Sequence, residues 1–180
     1  MNKIYIIPTG NEIKDGIVLD LDSGEIMTQI LKKYPQAEIT RICPLIDEEN
    51  IIVNKLNKLI KNNPDLIVLI GGSGGGHRYS KSLGKDFTHS SLEMCVDEFY
   101  SREIYGKNGH MWSKLICGKK DNVTIINVPG PFVEASAAIK AFIYGIQKND
   151  NLEDIVHQMA ISVFNQYPKI DEFKIEHAIK

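Results

Sequence analysis

The 180-residue sequence has few cysteines, no block of basic residues and no long apolar run. Its three cysteines, Cys43, Cys95 and Cys117, are far apart and odd in number, which favours buried thiols over a disulfide framework. A formal net charge of -2 without a Lys/Arg block gives no reason to expect a nucleic-acid partner. No stretch has the apolar length of a bilayer span or a signal peptide. We therefore expect a cytoplasmic protein with no membrane partner.

Three common signatures of catalysis or metal binding are also missing. No Gly-Lys-Ser/Thr follows the glycine-rich segment, which excludes a Walker A loop. No G-x-S-x-G is present, so the sequence gives no basis for a Ser-His-Asp triad. None of the five histidines stands at a metal-ligand spacing from another histidine or a cysteine, which argues against a zinc site.

The most informative stretch that is present runs from Asp65 to Glu93. Its apolar run, residues 66–70, predicts a strand that is buried on both faces, as in a parallel sheet. A helix is predicted after Asp86-Phe87-Thr88, where Asp86 or Thr88 is expected to cap it. Between them lies a glycine-rich loop whose backbone N–H groups can approach an anion, namely Gly71, Gly72, Ser73, Gly74, Gly75 and Gly76.

A strand, a glycine loop and a helix start in this order indicate a phosphate or anion site at the carboxyl end of the strand. The alternative for the glycines alone is a flexible surface loop. Their position directly after a buried strand favours the binding site. His77 and Arg78, in the same loop, could contact a phosphate.

The rest of the chain alternates strands and helices. Strands are predicted at 3–8, 37–43, 113–119 and 122–128, and helices after the N-caps Ser23 and Asp47 and at 132–147 and 152–164. Residues 101–111 are predicted to be a loop and 167–180 a charged tail. This pattern predicts an α/β sandwich with a mostly parallel sheet, to which the late hairpin could contribute an antiparallel edge.

Two further segments carry candidate site residues. Pro129 and Gly130 precede the long helix, with Pro131 at its first position, and form a second candidate anion-binding helix start. Asp20, Asp22 and Glu25 crowd the segment after the first strand and could hold Mg²⁺, which prefers oxygen ligands. The alternative is a solvated helix start with favourable charge placement, and for Glu25 this is the better interpretation.

Four segments of the chain resemble motifs of one known family. The motifs are T-G-D/N-E, G-x-I-x-D-x-N-S, D-L-hydrophobic-G-G-T/S-G and L-P-G-x-P. The matching segments are Pro8-Thr9-Gly10-Asn11-Glu12, Gly16-Ile17-Val18-Leu19-Asp20 with Asp22-Ser23, residues 65–74, and Val128-Pro129-Gly130-Pro131. They resemble the molybdopterin-binding domain of molybdenum cofactor biosynthesis, which adenylyltransferases, molybdotransferases and gephyrin-type proteins share. The chain is also similar to the amino-terminal domain of the competence-damage-induced protein family.

There are two departures from the family pattern. The family's Asp-x-Thr matches Asp86-Phe87-Thr88 only if residues 75–85 are an insertion that forms a longer lid. In addition, Pro131-Phe132 stands where the family has a polar residue followed by proline.

The resemblance implies a three-layer α/β/α sandwich over residues 1–166 that assembles as a homotrimer and binds molybdopterin. In the adenylyltransferase branch, the ligand's phosphate attacks Mg·ATP. Asp20 and Asp86 would then be catalytic and hold Mg²⁺. The residues implied to contact the cofactor are Gly71, Gly72, Ser73, Gly74, Gly75, Gly76, Thr88, Pro129 and Gly130.

Three functions stay open at this point. The first is an enzyme of cofactor assembly, with molybdopterin and ATP as ligands. The second is a module that binds a pterin or a nucleotide without turning it over. The third is a nucleotide-pyrophosphate hydrolase similar to the competence-damage relatives.

Overall fold

The computed structural model describes residues 1–74, 86–106 and 109–167, together with the backbone of 174–179. Within these residues the strands are β1 (Lys3–Pro8), β2 (Glu38–Arg41), β3 (Leu66–Ile70), β4 (Glu98–Tyr105), β5 (Met111–Lys120), β6 (Val123–Val128) and β7 (Lys174–Ile179). They form one seven-stranded sheet in the order β2-β1-β3-β6-β5-β4-β7.

The helices flank this sheet. They are α1 (Asn11–Lys14), α2 (Asp22–Leu31), α3 (Glu49–Ile60), α4 (Thr88–Cys95), α5 (Phe132–Lys148) and α6 (Leu152–Phe164). In the ranges that the structure describes, none of them combines the length and apolar character that crossing a bilayer requires.

Side chains of the central strands alternate between two cores. In β3, Leu66, Val68 and Ile70 pack with residues of α2, α5 and α6, whereas Ile67 and Leu69 pack with residues of α3 and α4. Because successive strand residues point to opposite faces, a strand that is wholly buried needs helices on both sides. The predicted three-layer sandwich is therefore confirmed.

The parallel strands end at one level of the sheet. β2, β1, β3 and β6 are parallel neighbours, and Pro8 pairs with Ile70, which in turn pairs with Val128. β5 and β6 pair antiparallel, as the predicted hairpin requires. The loops after β1, β3 and β6 consequently leave the sheet side by side.

The predicted loop at 101–111 is wrong for its first half, because β4 extends to Tyr105 and pairs with β5. Its buried charged residue, Arg102, has one partner next to it in the sequence and one that lies far away on α6. The buried Arg102 donates to the Ser101 carbonyl (2.8 Å) and to Glu153 Oε1 (3.1 Å). On the other side of β4, the backbone of 174–179 forms the edge strand β7, which corrects the prediction of a charged tail for these residues.

The observed helix starts agree in part with those predicted from the sequence. α6 has the predicted bounds, and Asn151 caps it by accepting from the Asp154 N–H at 2.9 Å. The predicted cap Ser23 is wrong, because Ser23 lies inside α2 and donates its own N–H to Asp20 Oδ1 at 3.0 Å. Pro131 is the N-cap of α5 rather than its first helical residue, and Asp47 precedes Glu48, the N-cap of α3.

Candidate functional site

A cleft of about 480 Å³ opens at the carboxyl ends of β1, β3 and β6. It receives the loops that leave these three neighbouring strands. Its walls include the segments that the motifs had singled out, namely Gly71, Gly72, Ser73, Gly74, Asp20, Asp86, Pro129 and Gly130. The predicted meeting of the glycine loop, the two acidic segments and the second helix start is thus observed. Gly75, Gly76, His77 and Arg78 lie outside the described residues.

The backbone of the loop requires glycine at two positions. Gly71 and Gly72 have φ angles of +86° and +58°, where side chains are disfavoured. A Cβ atom on Gly72 would also stand 2.3 Å from Thr88 Oγ1. The start of α4 therefore packs directly against the loop.

Thr88 supports the loop from behind. It is fully buried, its hydroxyl is 3.0 Å from that of Thr9, and its N–H donates to the Gly72 carbonyl at 3.2 Å. The prediction that Thr88 caps α4 is wrong, because Thr88 is the first residue of that helix and Phe87 is its N-cap. The side chain of Thr88 does not line the cleft.

Strand β5 anchors the other side of the loop. Ser73 accepts a hydrogen bond from the Ser113 hydroxyl at 3.1 Å, and its carbonyl accepts from the Lys114 N–H at 2.7 Å. Gly130 approaches from β6, where a Cβ atom would lie 3.7 Å from the Gly71 Cα. Gly71 itself donates its N–H to the Val128 carbonyl at 3.1 Å. The described part of the loop is therefore held by hydrogen bonds on both flanks.

Asp20 faces the cleft but has strong protein partners on both of its oxygens. Oδ1 accepts from the Ser23 N–H, and Oδ2 accepts from Arg41 Nε at 2.7 Å. Burial alone would raise the pKa of Asp20, but hydrogen bonds from Ser23 and Arg41 and the charge of Arg41 outweigh it and lower the pKa. This arrangement holds the start of α2 against β2.

Glu25 has the structural role that we favoured for it. It accepts from the Ser136 hydroxyl at 2.6 Å and from Gln29 at 2.7 Å, which ties α2 to α5. These hydrogen bonds lower the pKa of Glu25. Glu25 does not line the cleft.

The described lining of the cleft is strongly acidic. Six of its described residues carry carboxyl groups, namely Glu12, Asp20, Asp22, Asp47, Asp86 and Glu134. Burial and the neighbouring charge of Asp20 raise the pKa of Asp22 to about 6. Burial and the charges of Glu12 and Asp86 raise the pKa of Asp47 to the same region, about 6. Bringing a cation here would relieve repulsion between these groups.

Asp47 is a site residue that the sequence analysis missed. Its Oδ1 atom is buried and accepts no hydrogen bond from the described residues, and its N–H donates to Asn11 Oδ1 at 3.2 Å. The T-G-N-E segment thus positions Asp47 beside the cleft. Among the residues that the structure describes, no three His, Cys, Asp or Glu side chains are arranged to hold a metal ion. A magnesium ion would therefore need oxygen atoms from its ligand as well.

The far wall of the cleft is aromatic. The rings of Trp112 and Tyr167 stand 4.5 Å apart between centroids with an interplanar angle of 59°. The Tyr167 hydroxyl donates to Glu134 Oε2 at 3.1 Å. Burial raises the pKa of Glu134, and the hydrogen bond from Tyr167 opposes this only in part. The sequence signal for Glu134 is its place in the first turn after Pro-Gly-Pro, whereas Trp112 and Tyr167 have no local signal.

Comparison with known proteins gives one family. Residues 5–148 match the family described as "Probable molybdopterin binding domain". The CinA-like protein of Fervidobacterium nodosum is 27% identical over 179 residues, which cover 84% of this chain and 43% of that protein. The chain thus spans less than half the length of this relative.

Solved structures with the same fold include two with low sequence identity. The molybdopterin biosynthesis enzyme MoaB of Thermus thermophilus superimposes with a TM-score of 0.66 at 18% identity, over 87% of this chain and 98% of that one. The protein CinA of Thermoplasma acidophilum, whose function is unknown, superimposes with a TM-score of 0.60 at 16% identity, over 81% of this chain and 98% of that one. At these identities the likeness shows the fold.

Proposed function

The chain belongs to the molybdopterin binding domain family, and from this premise we propose that its cleft binds molybdopterin in molybdenum cofactor biosynthesis. The observation that carries the proposal is the meeting of the loops after β1, β3 and β6 in one cleft. These loops bring Gly71–Gly74, Asp86 and Pro129-Gly130 together from three parts of the chain. A parallel sheet with helices on both faces binds ligands at the carboxyl ends of its strands.

The glycine loop is the proposed phosphate site. The backbone of residues 72–74 forms part of the cleft wall, and the glycines allow a phosphate to approach it closely. The start of α5 contributes N–H groups and the positive end of a helix dipole from the opposite side. Ser73 can donate its hydroxyl proton to the ligand while it accepts from Ser113.

We further propose Mg²⁺-dependent adenylyl transfer as the reaction. A phosphate oxygen of molybdopterin forms a bond to the α-phosphorus of ATP, the bond from that phosphorus to the bridging oxygen breaks, and pyrophosphate leaves. Mg²⁺ would supply charge neutralisation for the phosphates. Two carboxylates with ligand oxygens and water suit this ion, and Asp86 and Asp47 both line the cleft, where the charge of Asp86 helps to raise the pKa of Asp47. Asp20, which the resemblance implies as a ligand, would have to leave Arg41.

Two experiments test the proposal. Titration of molybdopterin into the protein, followed by calorimetry and thermal unfolding, is expected to show binding and a rise in the melting temperature. Molybdopterin with Mg·ATP is expected to release pyrophosphate, and Asp86→Ala is expected to abolish this release while the protein still folds. Binding without pyrophosphate release would assign the chain to the non-catalytic modules. The absence of binding would refute the proposal.

Hydrolysis of a nucleotide pyrophosphate is the second candidate, favoured by the six carboxyl groups in the cleft. Such a lining suits a bound divalent cation that activates water. Mg²⁺-dependent hydrolysis of ADP-ribose, lost in Asp47→Asn, would favour this function.

We also propose that the protein is a cytoplasmic homotrimer. Analytical sedimentation tests the number of subunits, and cell fractionation tests the location.

A further inference from the structure

Glu134 is the most deeply buried carboxyl group in the cleft, with 9% of its surface exposed. It stands in the first turn of α5, and its backbone N–H donates to the Pro131 carbonyl at 3.0 Å. Its Oε2 atom accepts from the Tyr167 hydroxyl, whereas its Oε1 atom accepts no hydrogen bond from the described residues. The Oε1 atom of this cleft-lining side chain therefore has acceptor capacity that a ligand donor can use.

The surroundings of Glu134 differ from those of the other cleft carboxyl groups. Asp20 is paired with Arg41, and Asp47 interacts with the charges of Glu12 and Asp86 near the glycine loop. Glu134 instead contacts the aromatic wall through Tyr167, whose ring lies 4.5 Å from that of Trp112. Apolar side chains of Val18 and Leu19 line the same cleft. These features suit a flat heterocycle with N–H donors on one edge.

We propose that Glu134 recognises the 2-amino-4-oxopyrimidine edge of the ligand. The ring N3–H and the adjacent 2-amino group of this edge present two parallel donors, which match the two oxygens of a carboxylate. The inference rests on the proposed function, because the pterin of molybdopterin carries this edge. Guanine carries the same edge, so a guanine nucleotide is the other source of this chemistry.

Matched ligand pairs test the assignment. Pterin and lumazine differ at the 2-amino group, which lumazine replaces with an oxygen, and GMP and IMP differ by the presence of that group. Calorimetry with the full chain is expected to show a preference of roughly tenfold or more for the amino member of a pair. Glu134→Gln replaces one acceptor oxygen with a donor, so the variant is expected to bind both members of each pair with about equal affinity.

Two variants serve as controls. Glu98→Gln makes the same chemical change at an exposed position at the start of β4, and it is expected to keep the wild-type preference. Glu134→Asp keeps both acceptor oxygens on a shorter side chain, and it is expected to bind more weakly while still preferring the amino ligands. Thermal unfolding of each variant verifies that it folds.

The outcomes separate this inference from the proposed function. If the wild type does not discriminate within either pair, or if Glu134→Gln keeps the full preference, the assignment of Glu134 is overturned. Molybdopterin binding in that case would leave the proposed function intact. If only GMP is discriminated, and through Glu134, the edge recognition is supported with guanine as its source and the pterin as its source is overturned, while the molybdopterin titration decides the proposed function separately.

Discussion

The carboxylate of Asp86 lies directly against Gly74. Its Oδ2 atom is 2.8 Å from the point at which a Cβ atom would stand on Gly74. The glycine therefore keeps space for the carboxylate beside the proposed phosphate-binding loop. This contact joins two segments that residues 75–85 separate in the sequence.

Gly74→Ala is expected to displace Asp86 and to weaken binding of Mg²⁺ with a nucleotide. Gly74 does not have a positive φ angle, and the nearest neighbour of the methyl group is the end of the flexible Asp86 side chain. The Trp112 carbonyl oxygen, at 3.3 Å, has to shift by a few tenths of an ångström, so we expect at most a small loss of stability. Calorimetry of Mg·ATP binding, together with urea unfolding, measures both effects. Unchanged Mg·ATP affinity would show that the position of Asp86 does not matter for the ligand.

Gly72→Ala is expected to destabilise the fold itself. A side chain there would meet Thr88 Oγ1 at 2.3 Å and would hold a φ of +58°, a combination that costs about 1–3 kcal/mol. The matched control is Gly24→Ala in α2, where a Cβ atom meets nothing within 4 Å. That change is expected to stabilise the protein by about 0.5–1 kcal/mol. Urea unfolding that shows equal effects would contradict this view of the loop.

Asp47→Asn is expected to change how stability depends on pH. The raised pKa of Asp47 contributes stability that is fully present below the ordinary value of 3.8 and is lost as the pH rises through about 6. The variant lacks this loss, so its stability relative to the wild type is expected to grow between pH 4 and about 6 and then level off.

Urea unfolding in the presence of EDTA, at steps across this pH range, measures the difference. Asp15→Asn, at an exposed position, is the control and is expected to follow the wild-type curve. Wild-type and Asp47→Asn curves that stay parallel throughout would show that Asp47 does not ionise unfavourably in the folded protein.

Asp20 and Asp47 are expected to differ as metal ligands. Asp20→Asn can still accept from the Ser23 N–H in the first turn of α2, whereas it loses the ion pair with Arg41. We expect this variant to keep more of the Mg²⁺-dependent pyrophosphate release than Asp47→Asn or Asp86→Asn. An equal loss in Asp20→Asn, with unchanged thermal stability, would instead make Asp20 a metal ligand.

Caps, apolar spacing and apolar runs predict the parts of this fold that depend on residues close together in the sequence. The cap Asn151 and the apolar spacing after it give the bounds of α6, and the apolar run of β3 predicts its burial on both faces. The strand β4 was missed in its polar half because Arg102 is satisfied by Glu153, on α6. Residues 174–179 pair with β4, and their own sequence carries no comparable signal.

The candidate site also combines residues with a local sequence signal and residues whose role depends on distant parts of the chain. Gly71 and Gly72 were predicted because a glycine run after a buried strand allows backbone conformations that other residues disfavour, and both have positive φ angles. Asp47 and Glu134 resemble ordinary helix-start residues, and only the sheet order brings them to one cleft. Asp20 has the position that was predicted for it, but Arg41 comes from β2 and could not be paired with it from spacing alone.

A crystal structure of the protein with molybdopterin tests the central claim most directly. The account predicts that the terminal phosphate lies on the backbone of residues 72–74, opposite Gly130, with the pterin against Trp112 and its amino edge on Glu134. A ligand that binds at another surface, or in the cleft with its phosphate away from residues 72–74, would contradict it.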